Sequence, residues 1–181
     1  VQPPGVWNHI GVASNLWKTS RNEDLHRRGV YVYWRRTVPY PSFVNFDAPS
    51  REVCSVFRSQ SNTPLQALTL LNDPVFFEAA GALAARGLDE VPVTAPPLTR
   101  LQFLFGLATS RRPTTSEATV LLDRYTHERT RLAGSPGQVR QLVERGHPRG
   151  RKRGEKQNVE LAAWLHVANV ILNLDEVITR E

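Results

Sequence analysis

A chain of 181 residues fits one domain and is long enough to bury a core. It carries 23 basic and 17 acidic residues, a formal net charge of +6, one cysteine and no methionine. The lone cysteine excludes an internal disulfide, the absence of CxxC and CxxCH excludes thiol-pair and haem-attachment motifs, and no apolar run approaches the roughly 20 residues of a membrane-spanning helix.

Because methionine is missing, Val1 is expected not to be a natural start, and the chain is expected to be a fragment of a larger protein. Residues 1–22 carry Pro3, Pro4 and Gly5, lack periodicity, and are expected to form an extended arm whose Trp7 and Trp17 need a covering surface. Over 25–36, with Asp24 as cap, Leu25, Val32 and Arg36 share one helical face and Tyr31 and Trp34 another. The rival is a strand, because Val30 to Trp34 is β-branched and aromatic behind Gly29. Pro39 and Pro41 are expected to impose an extended linker through Ser42, Phe43 and Val44.

Thr63, Pro64, Leu65 and Gln66 form a capping box with proline at the first helical position. A short helix through Leu71 follows, expected to turn Leu65, Leu68 and Leu71 to the core. Asp73 and Pro74 repeat the cap-then-proline start for a helix to about Arg86. Phe76, Phe77, Ala80, Leu83 and Ala84 give it an apolar stripe, and Gly87 is its expected stop.

Residues 89–97 hold three prolines and read as a spacer. Leu101, Leu104, Phe105 and Ala108 mark a helix over 98–109, and a second capping box, TTSE at 114–117, opens another through about Leu132. Its inner face is expected to hold Val120, Leu121 and either Arg124 or Tyr125. Residues 134–157 read as a flexible basic loop patterned only from Val139 to Val143. Asn158 is then expected to cap a last helix that buries Leu161, Trp164, Leu165, Ala168, Ile171 and Leu172. The fold class is all-α: an irregular bundle of five to six helices in a single domain, with Pro-rich loops and an extended N-terminal arm.

Six cations, Arg145, Arg149, Arg151, Lys152, Arg153 and Lys156, fall together against the single acid Glu155, so the net charge belongs to one stretch. Such a stretch offers an anionic polymer a salt-sensitive, non-specific contact. Without interleaved aromatics it gives no stacking platform and no specific nucleic-acid site. A solvated insertion is the commoner use of a charge run.

The densest polar set is Asp47, Arg51, Glu52, Arg58, Asn62, Gln66, Asn72 and Asp73. The Arg51 and Arg58 forks match a carboxylate, sulfate or phosphate, which makes this set the candidate binding site. The competing explanation pairs Asp47, Glu52 and Asp73 with those arginines and spends the amides and Asp73 on helix ends. Cys54, between Val53 and Val56 and without a neighbouring histidine, suits a small buried hydrophobe better than a nucleophile. Histidines 9, 26, 127, 147 and 166 lack metal-ligand spacing, and His166 reads as a surface or satisfied histidine. The adjacent acids Glu23–Asp24 and Asp175–Glu176 point apart. No phosphate loop, nucleophile elbow or HExxH occurs. No catalytic residue and no metal ligand is assigned.

Four strings and their order carry a family resemblance: EDLHRRGVYVYWRRTVPYPS (23–42), FDAPSREVCSVFRSQSNTPLQALTLLNDPVFFEAA (46–80), ATSRRPT (108–114) and ELAAWLHVANVILNLDEVITRE (160–181). With PPGVW at 3–7, they resemble the planctomycete-specific (PSD-type) C-terminal domain of unknown function found in exported planctomycetal cytochrome c-like proteins. The resemblance implies a helical C-terminal module in an exported, periplasmic or cell-envelope protein. It also implies haem in an upstream domain and no cofactor in this chain, and it carries over no catalytic residue. The Arg-rich 146–156 stretch departs from the family's short loop before ELAAW.

The functional expectation is a non-catalytic interaction module that docks on upstream domains of the same polypeptide through Trp7, Trp17 and the Tyr31 and Trp34 patch. The alternative is a polysaccharide-related enzyme or ligand-binding domain using the polar set over 47–73.

Overall fold

Prolines and capping side chains set where the helices begin. The computed structural model describes residues 24, 27–34, 39–57, 61–148 and 150–178. Among them the regular elements are all helical: α1 (Pro41–Asn45), α2 (Pro64–Asn72), α3 (Pro74–Glu90), α4 (Pro97–Thr109), α5 (Thr115–Ala133), α6 (Pro136–Gly146), α7 (Glu155–Leu172) and α8 (Asp175–Ile178). Five of these start on proline, whose missing N–H costs nothing in a first turn and whose φ is already helical. Asp73 caps α3 by accepting from the Val75 N–H at 2.8 Å. Thr114 and Glu117 close the capping box of α5 in both directions. The chain falls into two compact units, Val1–Gln66 and Ala67–Glu181.

In the second unit α7 is the central element, packed by α3, α4, α5, α6 and α8. Its Leu161, Trp164, Leu165, Ala168 and Ile171 are buried, and Trp164 stacks on Tyr125 of α5 with ring centroids 4.3 Å apart. Leu101, Leu104 and Phe105 of α4 and Phe77, Ala80 and Ala84 of α3 complete this core. Each large side chain so buried contributes about 1.5–3 kcal/mol. Two glycines permit the closest approaches. A Cβ on Gly81 would overlap the Gly146 carbonyl of α6, and one on Gly87 would stand 2.7 Å from Leu104 Cδ2.

The described part of the first unit is mostly irregular. Trp34 stacks on Phe43 at 5.4 Å, and Tyr40 meets Phe43 edge-on.

Several expectations are corrected here. The described part of 25–36 is neither an α-helix nor a strand: one 3-10 turn spans Gly29–Tyr31, and Val32 is extended. Val30, Tyr31 and Tyr33 stay exposed, so neither form gains the packing that would hold it. The rest of that stretch, with Trp7 and Trp17, lies outside the described residues. Residues 41–45 are helical rather than a linker, because proline restrains the residue before it: Tyr40 is extended, while Pro41 starts α1.

On α2 the exposed side chains are Leu65, Leu68 and Leu71, whereas Gln66 and Leu70 are buried. Helix α3 runs past Gly87, which serves close packing rather than a stop. On α5, Val120 and Arg124 face solvent, and Leu121, Tyr125 and Glu128 face in. Residues 136–146 are not loop but α6, with Val139 buried and Leu142 and Val143 packed beside it. The arginines around this i, i+3, i+4 pattern obscured it. Helix α7 begins at Glu155 with Gly154 as cap, and Asn158 instead donates its side-chain amide to the Arg153 carbonyl at 3.2 Å. Cys54 is exposed.

Candidate functional site

Gln66 is the hub of the candidate set in the first unit. Only 2 % of it is exposed. Its Nε2 donates to the Asn45 carbonyl at 2.8 Å and the Ser61 hydroxyl at 3.1 Å, with Asp47 Oδ2 at 3.4 Å. Its Oε1 accepts from the Thr63 N–H, and its own N–H donates to Thr63 Oγ1, so the capping box is present as the sequence indicates. Asp47 Oδ2 also accepts from the Ser61 N–H at 2.8 Å and the Ser61 hydroxyl at 2.6 Å. The irregular stretch before α2 is thereby tied to the turn after α1. Asp47 and Arg51 both hold left-handed backbone, φ 55° and 63°, a conformation that costs a non-glycine residue about 1–3 kcal/mol unless its surroundings impose it.

The remaining members do separate work. The Arg51 guanidinium lies 4.8 Å from the Trp34 ring centroid, a cation–π contact. Glu52 is exposed, and its backbone N–H donates to Ser50 Oγ at 3.3 Å. Asn62 is exposed in the run into α2. At the α2–α3 junction Asn72 donates to the Leu68 carbonyl at 2.8 Å and Asp73 caps α3. Arg58 lies outside the described residues. The structure thus brings Asp47 and Gln66 together, with Thr63 as the capping partner read from sequence and Asn45 and Ser61 as partners that sequence inspection did not single out. Ser61 lies 14 residues from Asp47, and no periodicity links them.

Beside this tie is a hollow of about 470 Å³ in the first unit. Trp34, Val44, Asp47, Ser50, Ser55 and Phe57 are among its lining residues. It was not legible from sequence, since its walls come from α1 and from irregular segments apart from it in the chain. Among the described residues no three or more His, Cys, Asp or Glu side chains converge as a metal site requires, and no helix is long and apolar enough to cross a membrane.

The basic stretch over 145–156 is not one solvated loop. Arg145 belongs to the last turn of α6 and lies 5.2 Å from the Phe77 ring centroid. Arg153 pairs with Asp89 at 2.6 Å with 4 % of its side chain exposed. Lys156 is in the first turn of α7. Arg151 and Lys152 remain exposed, and Arg149 lies outside the described residues. Folding gives part of this charge to α3.

Charged residues of the second unit tie its helices. Arg111 binds Glu117 at 2.6 Å and Glu176 at 2.7 Å. Arg111, then the Thr114 backbone and hydroxyl, holds the Glu117 carboxyl down to about 2. Tyr125 donates to Glu160 at 2.6 Å; burial, then this bond, pushes its hydroxyl up to about 12. Arg100 is buried and donates to the Gly87 carbonyl at 2.8 Å, where a cation complements the C-terminal half of α3. Sequence inspection missed Glu128, an acid on the inner face of α5 with 3 % exposure. It faces His166 of α7, which is half-buried rather than on the surface.

Neither a curated protein nor a solved structure matches this chain. A family model matches residues 2–125, which takes in the strings at 23–42, 46–80 and 108–114 and ends within α5, short of the string at 160–181. With well over half of its length matched, the chain belongs to the PSD1 family, a protein of unknown function (DUF1553).

Proposed function

We propose that this chain is a non-catalytic helical module that binds a protein surface. In this proposal it forms the C-terminal part of an exported, haem-containing multidomain protein of the periplasm or cell envelope and docks on its upstream domains. One observation carries the binding role. Within the first unit, Asp47 and Gln66 are spent on tying backbone, while Val30, Tyr31, Tyr33, Val53, Val56 and Phe57 stand 65–90 % exposed. Apolar side chains left in water on this scale favour a covering partner. The setting in an exported haem protein rests on the resemblance of the strings at 23–42 and 46–80. The test is amide exchange on this chain alone and on the longer polypeptide that contains it. Protection of 29–34 and 53–57 only in the longer protein supports docking, and equal exchange in both refutes it.

A second reading, a ligand-binding domain for a saccharide-like molecule, is favoured by the hollow beside Trp34. Its volume of about 470 Å³ and its mixture of aromatic, hydroxyl and carboxylate lining suit a small polar ligand. Saturable perturbation of the Trp34 indole resonance by an oligosaccharide supports it, and its absence at millimolar concentration removes it.

A further inference from the structure

The inner face of α5 carries a charge where a helix core normally has none. Glu128 forms ion pairs with Arg131 at 2.6 Å and Arg124 at 3.1 Å, both on its own helix. Gln138 of α6 holds the other end of the Arg131 fork at 2.9 Å. Across the seam His166 of α7 places Nε2 3.8 Å from Glu128 Oε2, beyond hydrogen-bond reach, and that nitrogen is buried without a partner.

Counting charges shows what a proton does here. With His166 neutral, two guanidinium groups face one carboxylate, and the cluster already has an excess positive charge. Protonating His166 adds a second excess positive charge to a ring whose side chain is 22 % exposed. Glu128 cannot offset it fully, because both arginines already engage that carboxylate. We infer that the α5–α7 contact is a proton-sensitive seam: protonation of His166 adds uncompensated charge there and loosens the second unit as conditions turn acidic.

The electrostatics agree. Burial first, then Arg124 and Arg131, holds the His166 imidazole below the usual 6.5, and Glu128 pulls the other way. The charged groups acting on His166 among the described residues all come from α5; α3, α4, α6 and α8 pack on α7 but add none. Because the folded value is depressed, the neutral ring's stabilisation is complete above 6.5 and is lost as pH falls through the folded value. One proton limits the effect to about tenfold in the unfolding constant per pH unit. Loosening α7 matters because the other helices of the unit from α3 onward pack against it.

The experiment uses the full chain. The His166 imidazole is titrated by NMR in the wild type and in Arg124→Gln, and urea unfolding is followed between pH 7.5 and 5 for wild type, His166→Gln and His127→Gln. His127 is the control, because it lies on α5 but on its exposed face, away from the seam. The expected result is a His166 midpoint below the usual histidine value that rises in Arg124→Gln. The acid-dependent rise in unfolding is expected to be blunted in His166→Gln and kept in His127→Gln. A His166 midpoint at or above the usual value, or His166→Gln with the wild-type pH dependence, overturns the inference. Should His166→Gln fail to fold, the two titrations still decide.

Discussion

Replacing Gly81 with alanine tests how closely α3 and α6 approach. A Cβ at this position would overlap the backbone carbonyl of Gly146, and backbone cannot rotate away as a side chain can. Helix α6 must then move off α3, which also disturbs Gly146 against Leu165 of α7. Overpacking of this kind costs about 1–3 kcal/mol, with the upper end apt where backbone is struck. Alanine recovers up to about 1 kcal/mol of helix propensity. The net loss is about 2 kcal/mol, a roughly thirtyfold larger unfolding constant. Gly137 is the internal control: it lies near the start of α6, is exposed and has nothing within 4 Å of a built Cβ. Gly137→Ala should therefore be neutral or stabilise by about 0.4–1 kcal/mol. Urea unfolding at neutral pH, read by far-UV circular dichroism, measures both. A Gly81→Ala midpoint equal to that of Gly137→Ala would refute the close contact.

Gln66→Ala removes the amide donor to the Asn45 carbonyl, the Ser61 hydroxyl and Asp47 Oδ2, while the Ser61–Asp47 bonds remain, at about 1–3 kcal/mol of local stability. Amide exchange should speed up across 43–48 and 61–66 while the core of α7 is unchanged; unaltered exchange there would show that Gln66 is no hub. Glu117, held down to about 2, should stay ionised where ordinary glutamates at 4.5 protonate. Its contribution is complete above 4.5 and lost as pH falls through about 2, and Arg111→Gln should return its NMR midpoint towards the ordinary value. Tyr125 has the opposite sign: raised to about 12, it stabilises below the usual 10 and loses that as pH rises through about 12. Tyr125→Phe should cost about 1 kcal/mol and remove the phenol that titrates at about 12 from the absorbance curve at 295 nm; an unchanged curve counts against the Glu160 bond.

The starts of helices were legible because they are local. Thr63 with Gln66, Asp73 with Pro74, and Thr114 with Glu117 each place donor, acceptor and restricted φ within four residues, and all three initiate helices. The apolar positions of α7 were legible for a related reason, since most of its circumference is apolar and little choice of face remains. Faces were harder where the pattern is weak. On α2 the leucines at 65, 68 and 71 outvote Gln66 by hydrophobicity, yet the glutamine goes inward, because its amide finds acceptors on Asn45, Asp47 and Ser61. Those acceptors come from a segment about 20 residues away, and no window along the chain contains them.

The same limit explains Gly87 and Glu128. A glycine near a helix end reads as a stop until Leu104 of the next helix is seen to occupy the space of its missing Cβ. An acid amid arginines reads as surface until α7 covers it. Sequence alone settled the helical class, the capped starts of α2, α3 and α5 and the strings at 23–42, 46–80 and 108–114 that the family match also covers, because each depends on neighbours along the chain. Packing in three dimensions chose which face each helix buries, which polar side chains become struts and where His166 meets Glu128, because these energies arise between atoms the chain order keeps far apart.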